Sequence, residues 1–484
     1  MSDTAQPQVT HRHWILVAAM LAMFMAAIEV TIVATAMPTI IAELGGFSQF
    51  GWVFSIYLLT QAVSVPVYGR LADLWGRKRV FFIGTSLFLL GSVLCGFATN
   101  MAWLILFRAF QGLGAGAIMP LTSTIIADVY PPKERASIQG WLSSVWGIAA
   151  ITGPLTGAWI VQHFNWALIF WVNVPIGIVS MLMLARWFPE SHNEKGQKLN
   201  LAGSAWLMLT VSALLTALLQ AESLGYWAVA LIAGALVAGM ALLRHEREAD
   251  EPLFPMAIWR SRTLVAGNAG NLAIGAAMMG ISAFLPTWIQ GVNGGTPLQA
   301  GSALAMMSIG WPLASTLSGR LMQKTSYRFT AQTGSVLLIL GTSLLLTLHS
   351  SSSVLHAAIS AFVIGTGMGM TSTTFLIAVQ NTAEFSIRGI CTASIMFSRM
   401  LGSALGTAVM GAVLNYNLMV RLPGHNDPVQ QIMSQPQREE LGQGVLHSMV
   451  NEVAYSLHWV FVVSVGIAVA SLLIARWVPA TKPH

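Results

Sequence analysis

The sequence predicts an all-α polytopic membrane protein of 14 transmembrane helices, two six-helix bundles with two extra helices between them. Three observations predict it. The chain has 484 residues, 55% hydrophobic and only 9% charged, whereas a soluble domain carries roughly 25% charged residues. Its apolar residues fall into long runs, and at roughly 25 to 35 residues per span with its loop a chain of this length holds about 14 spans. Short motifs in the first and last stretches also repeat at a near-constant spacing.

Breaking the chain at charged and Gly/Pro-rich segments places helices at 14–38, 50–70, 79–98, 102–125, 137–160 and 166–187. These make a first bundle, 14–188, behind an N-terminal tail of residues 1–13. The first apolar run is too long for a signal-peptide core and lacks a small-x-small cleavage site, so it is expected to remain in the mature protein. A linker, 189–262, contains the two extra helices at 199–220 and 226–243. The second bundle, 263–478, has helices at 263–289, 298–320, 328–348, 354–379, 387–415 and 456–478, one long outer loop at 416–455, and a tail of residues 479–484. Within that loop Gln435 and Pro436, followed by Arg438 to Leu441, suit either a short amphipathic helix or a plain solvated linker.

An even number of spans puts both termini on one side, and basic residues say which. Of the 24 Lys and Arg, twenty fall in the tails and in the loops on the side of the termini, from Arg12 through Arg70, Arg77, Lys78 and Arg79 to Arg476 and Lys482. Arg421 and Arg438 lie on the other side, and Arg108 and Arg399 lie inside spans. The termini are therefore expected to be cytoplasmic, and the net charge of +6 is explained by the membrane surface without any nucleic acid. Cys95 and Cys391 lie in separate apolar runs, which argues against a disulfide.

The repeat shows in pairs of motifs. Gly69-Arg70-Leu71 and Gly319-Arg320-Leu321 are 250 residues apart, and Arg135 with Gly153 is echoed by Arg388 with Gly406 at an offset of 253. Two halves related by an axis along the membrane normal, with a cavity between them, are the expected architecture. No phosphate-cradling loop follows a strand, and the eleven His form no metal-ligand pattern, so neither an ATP-driven pump nor a metal site is expected. Nor does any constellation of paired acids suggest an enzyme. A passive channel or receptor would have no need of charges buried in its spans.

Four motifs carry chemistry. Gly69-Arg70-Leu71-Ala72-Asp73-Leu74-Trp75-Gly76-Arg77-Lys78-Arg79 joins spans two and three; its glycines permit a tight turn and close helix approach, and Asp73 suits a basic side chain or a helix N-terminus. Arg77, Lys78 and Arg79 could equally serve topology alone. Glu29 is an acid in mid-span, where an ionised side chain costs about 2.5 to 3.5 kcal/mol on insertion scales and so must meet a partner or a cavity. Span four carries Arg108-Ala109-Phe110-Gln111-Gly112-Leu113-Gly114-Ala115-Gly116; the buried guanidinium needs an acid, and Gln111 can satisfy further donors. A static ion pair would also account for Arg108. Span five holds Gly153-Pro154-Leu155-Thr156-Gly157, a kink flanked by close-packing glycines. In the second half Gln323 stands where the first half has Asp73, and Arg399 must either line a substrate path or find a local acceptor. Trp288 and Trp311 add aromatic surface beside proline kinks, and with Gln111 and Arg399 they are the candidates for a substrate cavity, although Trp and Met are commoner as core and interface residues.

These motifs resemble those of the major facilitator superfamily, and in particular its 14-helix drug:proton antiporters, over essentially the whole chain. The segment from Gly69 to Arg79 resembles the superfamily's loop signature; span four resembles its R-x-x-q-G signature; and Ile28-Glu29-Val30-Thr31, Gly153 to Gly157, and Phe170-Trp171-Val172-Asn173-Val174-Pro175-Ile176-Gly177 resemble signatures of the antiporters. The family usually has Asp where this chain has Glu29, which keeps the proton chemistry but changes its reach. The resemblance implies a major facilitator fold rocking about a central cavity in a bacterial inner membrane. It also implies proton-coupled export of lipophilic small molecules, most simply cations drawn to Glu29, with a neutral or anionic metabolite received by Arg399 or Arg108 as the alternative. Glu29 and Arg108 would couple the proton; Gly69, Asp73, Gly76 and Arg77 would latch the halves, with the start of span thirteen near Arg388 and Gly389 as the partner; and Gly153, Pro154 and Gly157 would mark an exporter. No cofactor beyond the proton gradient is implied. A monomer is expected, and the resemblance leaves room for a periplasmic adaptor protein.

Overall fold

The computed structural model describes residues 11–44, 50–189, 200–219, 224–249, 261–422, 428–433 and 442–482. Among these residues the chain is all-helical, with fourteen long helices. We number them α1 (Arg12–Leu44), α2 (Phe50–Trp75), α3 (Arg77–Gly96), α4 (Met101–Val129), α5 (Pro132–His163), α6 in two pieces (Leu168–Trp171 and Asn173–Trp187), α7 (Leu201–Leu219) and α8 (Tyr226–Glu248). The rest are α9 (Arg262–Thr287), α10 (Pro297–Lys324), α11 (Tyr327–Leu345), α12 (Val354–Thr382), α13 (Arg388–Arg421) and α14 (Gln443–Ala475).

Local chemistry sets several of the ends. Asn100 caps α4 by accepting from Trp103 N at 3.0 Å, and Ser326 caps α11 by accepting from Phe329 N at 3.2 Å. Thr296 and Gln299 close a capping box at the start of α10, with Pro297 in the first turn. Pro286 lies at the end of α9, where the helix widens into a π turn over Trp288–Val292. Among the described residues, eleven helical segments are long and apolar enough to cross a membrane.

What faces outward is as informative as the core. Along α8, Tyr226, Trp227, Val229, Leu236, Val237 and Met240 are all exposed, as are Ile151, Leu155 and Trp159 along α5. A water-soluble surface does not carry apolar stripes of this extent, and lipid is the solvent they fit. The chain is a multi-pass membrane protein.

Two compact units are present: Met1–Ser261 with Val379–Phe397, and Arg262–Ala378 with Ser398–His484. In the first, α4 is the central element, with α2 and α3 packed along it, while α1 packs on α5 and on the second piece of α6. Glycines make these approaches close: a Cβ at Gly112 would run into Tyr57 and Thr60 of α2, one at Gly116 into Ser64, and one at Gly114 into Phe88 of α3. Ile15, Met25, Phe81, Phe88, Ile118 and Ile125 fill one part of the core, and Ile32, Val33, Leu104, Ile169 and Phe170 another. The extra helices α7 and α8 form a hairpin, with α7 packed on α2. In the second unit α14 packs on α9 and α11.

The segment 416–455, expected as a loop, is mostly helical where it is described. Helix α13 continues to Arg421, a short helix covers Pro428–Met433, and α14 starts at Gln443, thirteen residues before the expected span. Gln435 to Leu441, where a short amphipathic helix was one reading, lie outside the described residues. An apolarity scan stops where polar residues begin, but backbone hydrogen bonding continues through them. The other difference is that Val379–Phe397, assigned by sequence to the second bundle, clusters with the first unit.

Candidate functional site

Two polar clusters in the first unit gather most of the residues singled out by sequence. The first is buried among the helices. Glu29 of α1 is 0% exposed and Arg108 of α4 is 1% exposed, and they form an ion pair between Glu29 Oε1 and Arg108 Nη1. The second carboxylate oxygen, Oε2, accepts from Asn173 Nδ2 at the start of the second piece of α6. Arg108 also donates from Nε to the carbonyl of Val53 at 3.2 Å and from Nη1 to Gln111 Oε1 at 2.8 Å, and its guanidinium lies over the Tyr57 ring at 4.2 Å from the centroid. Gln111 Nε2 donates to Ser92 Oγ at 2.8 Å, and that hydroxyl in turn donates to the carbonyl of Phe170 at 3.1 Å. Five helices thus meet at one charge pair.

The neighbourhood is built by small residues. Thr31, two positions beyond Glu29, bonds the carbonyl of Ala149 on α5 at 3.1 Å, and a Cβ at Gly153 would overlap the Thr31 hydroxyl. Gly153 therefore lets α5 lie directly on α1 beside the acid. Gly157 is buried on the same helix; Pro154 lies within it, but its side chain is outside the described residues. On α3, Gly91 gives the backbone of Gln111 its room.

The second cluster surrounds the turn between α2 and α3. Asp73 is 2% exposed and acts as an external cap for α13: Oδ1 accepts from Gly389 N at 2.9 Å and Oδ2 from Ile390 N at 2.8 Å. Those are first-turn amides that no intrahelical carbonyl can satisfy, at the positive end of the helix dipole. Gly69 and Gly389 make the approach possible, since a Cβ on Gly69 would strike Ala393 and one on Gly389 would strike the Asp73 carboxylate. Arg77 binds Asp73 at 3.0 Å and Asp128 at 3.1 Å, donates to the carbonyl of Phe385 at 2.8 Å, and stacks over the Phe385 ring at 4.4 Å. Arg388 completes the set by pairing with Asp128 at 2.6 Å, and Arg135 bonds Asn381 nearby. Lys78 donates to the carbonyls of Ala185 and Phe188, so it caps the end of α6 and its role is more than topology.

Gly76 starts α3 with φ 91° and ψ 147°. That region is nearly closed to side chains. Gly76→Ala is expected to cost about 1–3 kcal/mol of strain, read as a lower thermal midpoint of the purified protein; an unchanged midpoint would show that the turn relaxes.

Sequence reading did not single out Asp128, Ser92 or a role for Asn173. Asp128 sits in the last turn of α4, and its signal was an acid beside the basic loop, visible only once α4 and α3 are brought together. Of the proposed cavity residues, Gln111 and Trp288 are fully buried and so offer no surface to a solute in this structure, whereas Trp311 and Arg399 of the second unit are partly exposed. Gln111 accepts from Arg108, the other role the sequence offered for it. Trp288 packs edge-to-face with His458, the ring centroids 4.9 Å apart, and lies tilted against Phe461. The Arg399 carbonyl accepts from Ser403 Oγ at 3.0 Å, while its guanidinium has no hydrogen-bond or ion-pair partner among the described residues.

A multi-helix membrane protein with an acid–base pair closed inside one bundle belongs to a recognisable class of fold. The chain is similar in fold to the proton:xylose symporter XylE (TM-score 0.64, 14% identity, 98% of each chain) and to the human organic anion transporter MFSD10 (TM-score 0.62, 12% identity, 95% of this chain and 99% of that one). Residues 19–407 match the model of the Major Facilitator Superfamily, and the chain belongs to that family. It is similar to Multidrug transporter protein MdtP of Bacillus subtilis (33% identity, 86% of this chain and 77% of the relative). It is also similar to Multidrug resistance protein 3 of the same organism (30% identity, 96% and 94%). It is a membrane transporter, not an enzyme.

Proposed function

We propose that this transporter is a proton-coupled exporter of lipophilic compounds, a drug:proton antiporter of a bacterial inner membrane with both termini in the cytoplasm. Export as the direction is supported by the multidrug names of its relatives and by the Gly153-Pro154-Gly157 motif. The twenty basic residues on one side support the orientation.

The observation that carries the coupling is the Glu29–Arg108 pair, enclosed by five helices with no exposure to solvent. With Glu29 ionised the pair is electrically neutral. When a proton arrives from outside and neutralises Glu29, Arg108 remains as a single positive charge inside the membrane. A membrane potential of 100 mV acts on such a charge with about 2.3 kcal/mol, which favours the inward-facing state and release of the proton to the cytoplasm. The deprotonated pair then permits the return with substrate. Asp73, seated on the first turn of α13, latches one end of this cycle, and Gly69, Gly76 and Arg77 shape the latch. Energy comes from the proton gradient, with no cofactor, and the protein acts as a monomer; an adaptor protein could extend the path outside.

Lipophilic cations are the first substrate class, because Glu29 is the sole acid deep in the spans and a cation near it would compete with the proton. A second reading, a neutral or anionic metabolite, is favoured by Arg399, a guanidinium on the second unit that lacks an acceptor among the described residues. The test is ethidium efflux from energised cells, wild type beside Glu29→Gln, with and without a protonophore. Efflux that the protonophore abolishes and that is lost in Glu29→Gln at normal membrane expression is expected. Efflux persisting in the variant would remove the proton role from Glu29, and no efflux by wild type would shift the substrate to the metabolite class.

A further inference from the structure

The carboxylate of Glu29 has a feature that bears on how it can take a proton. Both of its oxygens face donors: Oε1 faces Arg108 Nη1 and Oε2 faces Asn173 Nδ2. A proton added to the lone pair of Oε2 that faces Asn173 would point at a hydrogen already there. Protonation at that lone pair requires that the donor leave or become an acceptor.

Only one partner can reverse. Arg108 has donors and no acceptor whatever its rotamer. Gln111 is committed, since its Oε1 accepts from Arg108 and Cys95 while its Nε2 donates to Ser92; turning it would set an NH2 against the guanidinium. Asn173 is different. It is 0% exposed, its Nδ2 serves Glu29 and Ser92, and its Oδ1 is buried with no hydrogen-bond donor. A buried carbonyl without a donor is uncommon and calls for an explanation. Here it is an acceptor held in reserve on a group already touching the carboxylate.

We propose that Asn173 is the positioning residue that reads the protonation state of Glu29 by reversing its side-chain amide. When Oε2 takes a proton, rotation by half a turn about the Cβ–Cγ bond brings Oδ1 to the new O–H and carries Nδ2 to the place Oδ1 had left. The proton stays on Oε2, no other bond is made or broken, and the cluster gains one positive charge. Ser92 feels the change as well. Its hydroxyl accepts from both Gln111 and Asn173 and donates to the carbonyl of Phe170. After the reversal it meets an acceptor where it had a donor, so its own proton can swing from Phe170 to Oδ1. Phe170 and Asn173 flank the break between the two pieces of α6, so the proton on α1 is reported at the joint of another helix. The other titratable side chains facing Glu29 are Arg108 from α4, Tyr57 from α2 and Cys95 from α3. The Tyr57 hydroxyl also lacks a partner, but it lies beyond hydrogen-bond distance of the carboxylate, which makes it the control. This inference rests on the reading of Glu29 as the proton carrier.

The experiment is infrared difference spectroscopy of the purified full-length protein between acid and alkaline buffer, with carbon-13 in the side-chain carbonyl of asparagine. Wild type is expected to show a carboxylic acid band that Glu29→Gln lacks. A label-sensitive asparagine amide band should change with the same midpoint. That amide change should vanish in both Glu29→Gln and Asn173→Ser and persist in Tyr57→Phe. A Glu29 band that titrates with no change in the asparagine band would overturn the role of Asn173 and leave Glu29 as carrier; so would an asparagine change that survives Asn173→Ser. Absence of a Glu29 band at any pH would overturn the carrier reading itself. In vesicles, Asn173→Ser, whose hydroxyl both donates and accepts, should keep proton-driven efflux, while Asn173→Leu should lose it on the order of tenfold or more, the loss of a hydrogen bond to a charged group. Equal activity of the two variants would count against the reversal. If Asn173→Ser proves unstable, comparison of labelled wild type with labelled Glu29→Gln still decides the matter.

Discussion

Arg108→Leu is expected to destabilise the first unit by about 3–5 kcal/mol, the range for breaking a buried ion pair by removing one partner. The substitution leaves Glu29 charged without its arginine, with the Asn173 amide still on Oε2, strips the donor from Gln111 Oε1 and from the carbonyl of Val53, and removes the cation from the Tyr57 ring. The measurement is the thermal midpoint of the detergent-solubilised protein. The informative companion is the double variant Glu29→Gln/Arg108→Gln. With neither charge left alone, it should recover most of the lost stability while remaining inactive in proton-driven efflux. A single variant as stable as wild type would mean that water or lipid headgroups reach Glu29, contrary to its complete burial. A double variant that transports against a gradient would show that the pair is a structural element and nothing more.

The second large effect concerns Asp73. In Asp73→Asn one side-chain oxygen becomes an NH2 group, so one of the two amides of Gly389 and Ile390 loses its acceptor and meets a donor, and the Arg77 ion pair loses its charge. A hydrogen bond to a charged group is worth about 1.5–3 kcal/mol, or roughly one to two powers of ten in a local opening equilibrium. Amide hydrogen exchange over residues 388–391 should therefore speed up on the order of tenfold or more, and efflux should fall with it. Exchange that stays at the wild-type rate would show that Asp128, through Arg388, holds the start of α13 unaided. Asp128→Asn separates the two contributions, since it removes the charge shared by Arg77 and Arg388 and leaves the capping oxygens of Asp73 in place.

The two clusters differ in how much of them could be read from the sequence. Glu29 and Arg108 stood out because a charge in an apolar run is costly and must be explained, and that argument needs no knowledge of neighbours. The turn at Gly76 was equally legible, because a glycine in a charged link between two apolar runs marks a tight reversal. Asn173 carried no such mark. A neutral amide in a membrane helix is inexpensive enough to pass as packing, and its meaning lies in an orphaned oxygen that exists only when α1, α3, α4 and α6 are together. Gln111 was legible in part: the sequence offered it both as a partner for the donors of Arg108 and as a cavity wall, and the folded chain turns it toward Arg108.

By itself the sequence determined the number and order of the helices, the membrane as their solvent, the family, and the buried pair. The helices, their solvent and the need to explain buried charges follow from local composition, in which apolar length and isolated charge act residue by residue; the family and the pairing of Glu29 with Arg108 are what the resemblance of the motifs implied. Tertiary structure alone decided that Val379–Phe397 clusters with the first unit, that Asp73 caps α13, that Asp128 joins two arginines, and that both oxygens of Glu29 are met by donors. Hydrogen bonds are directional and reach about 3 Å, so partners separated by scores of residues in the chain can be named only when the helices that carry them are in place.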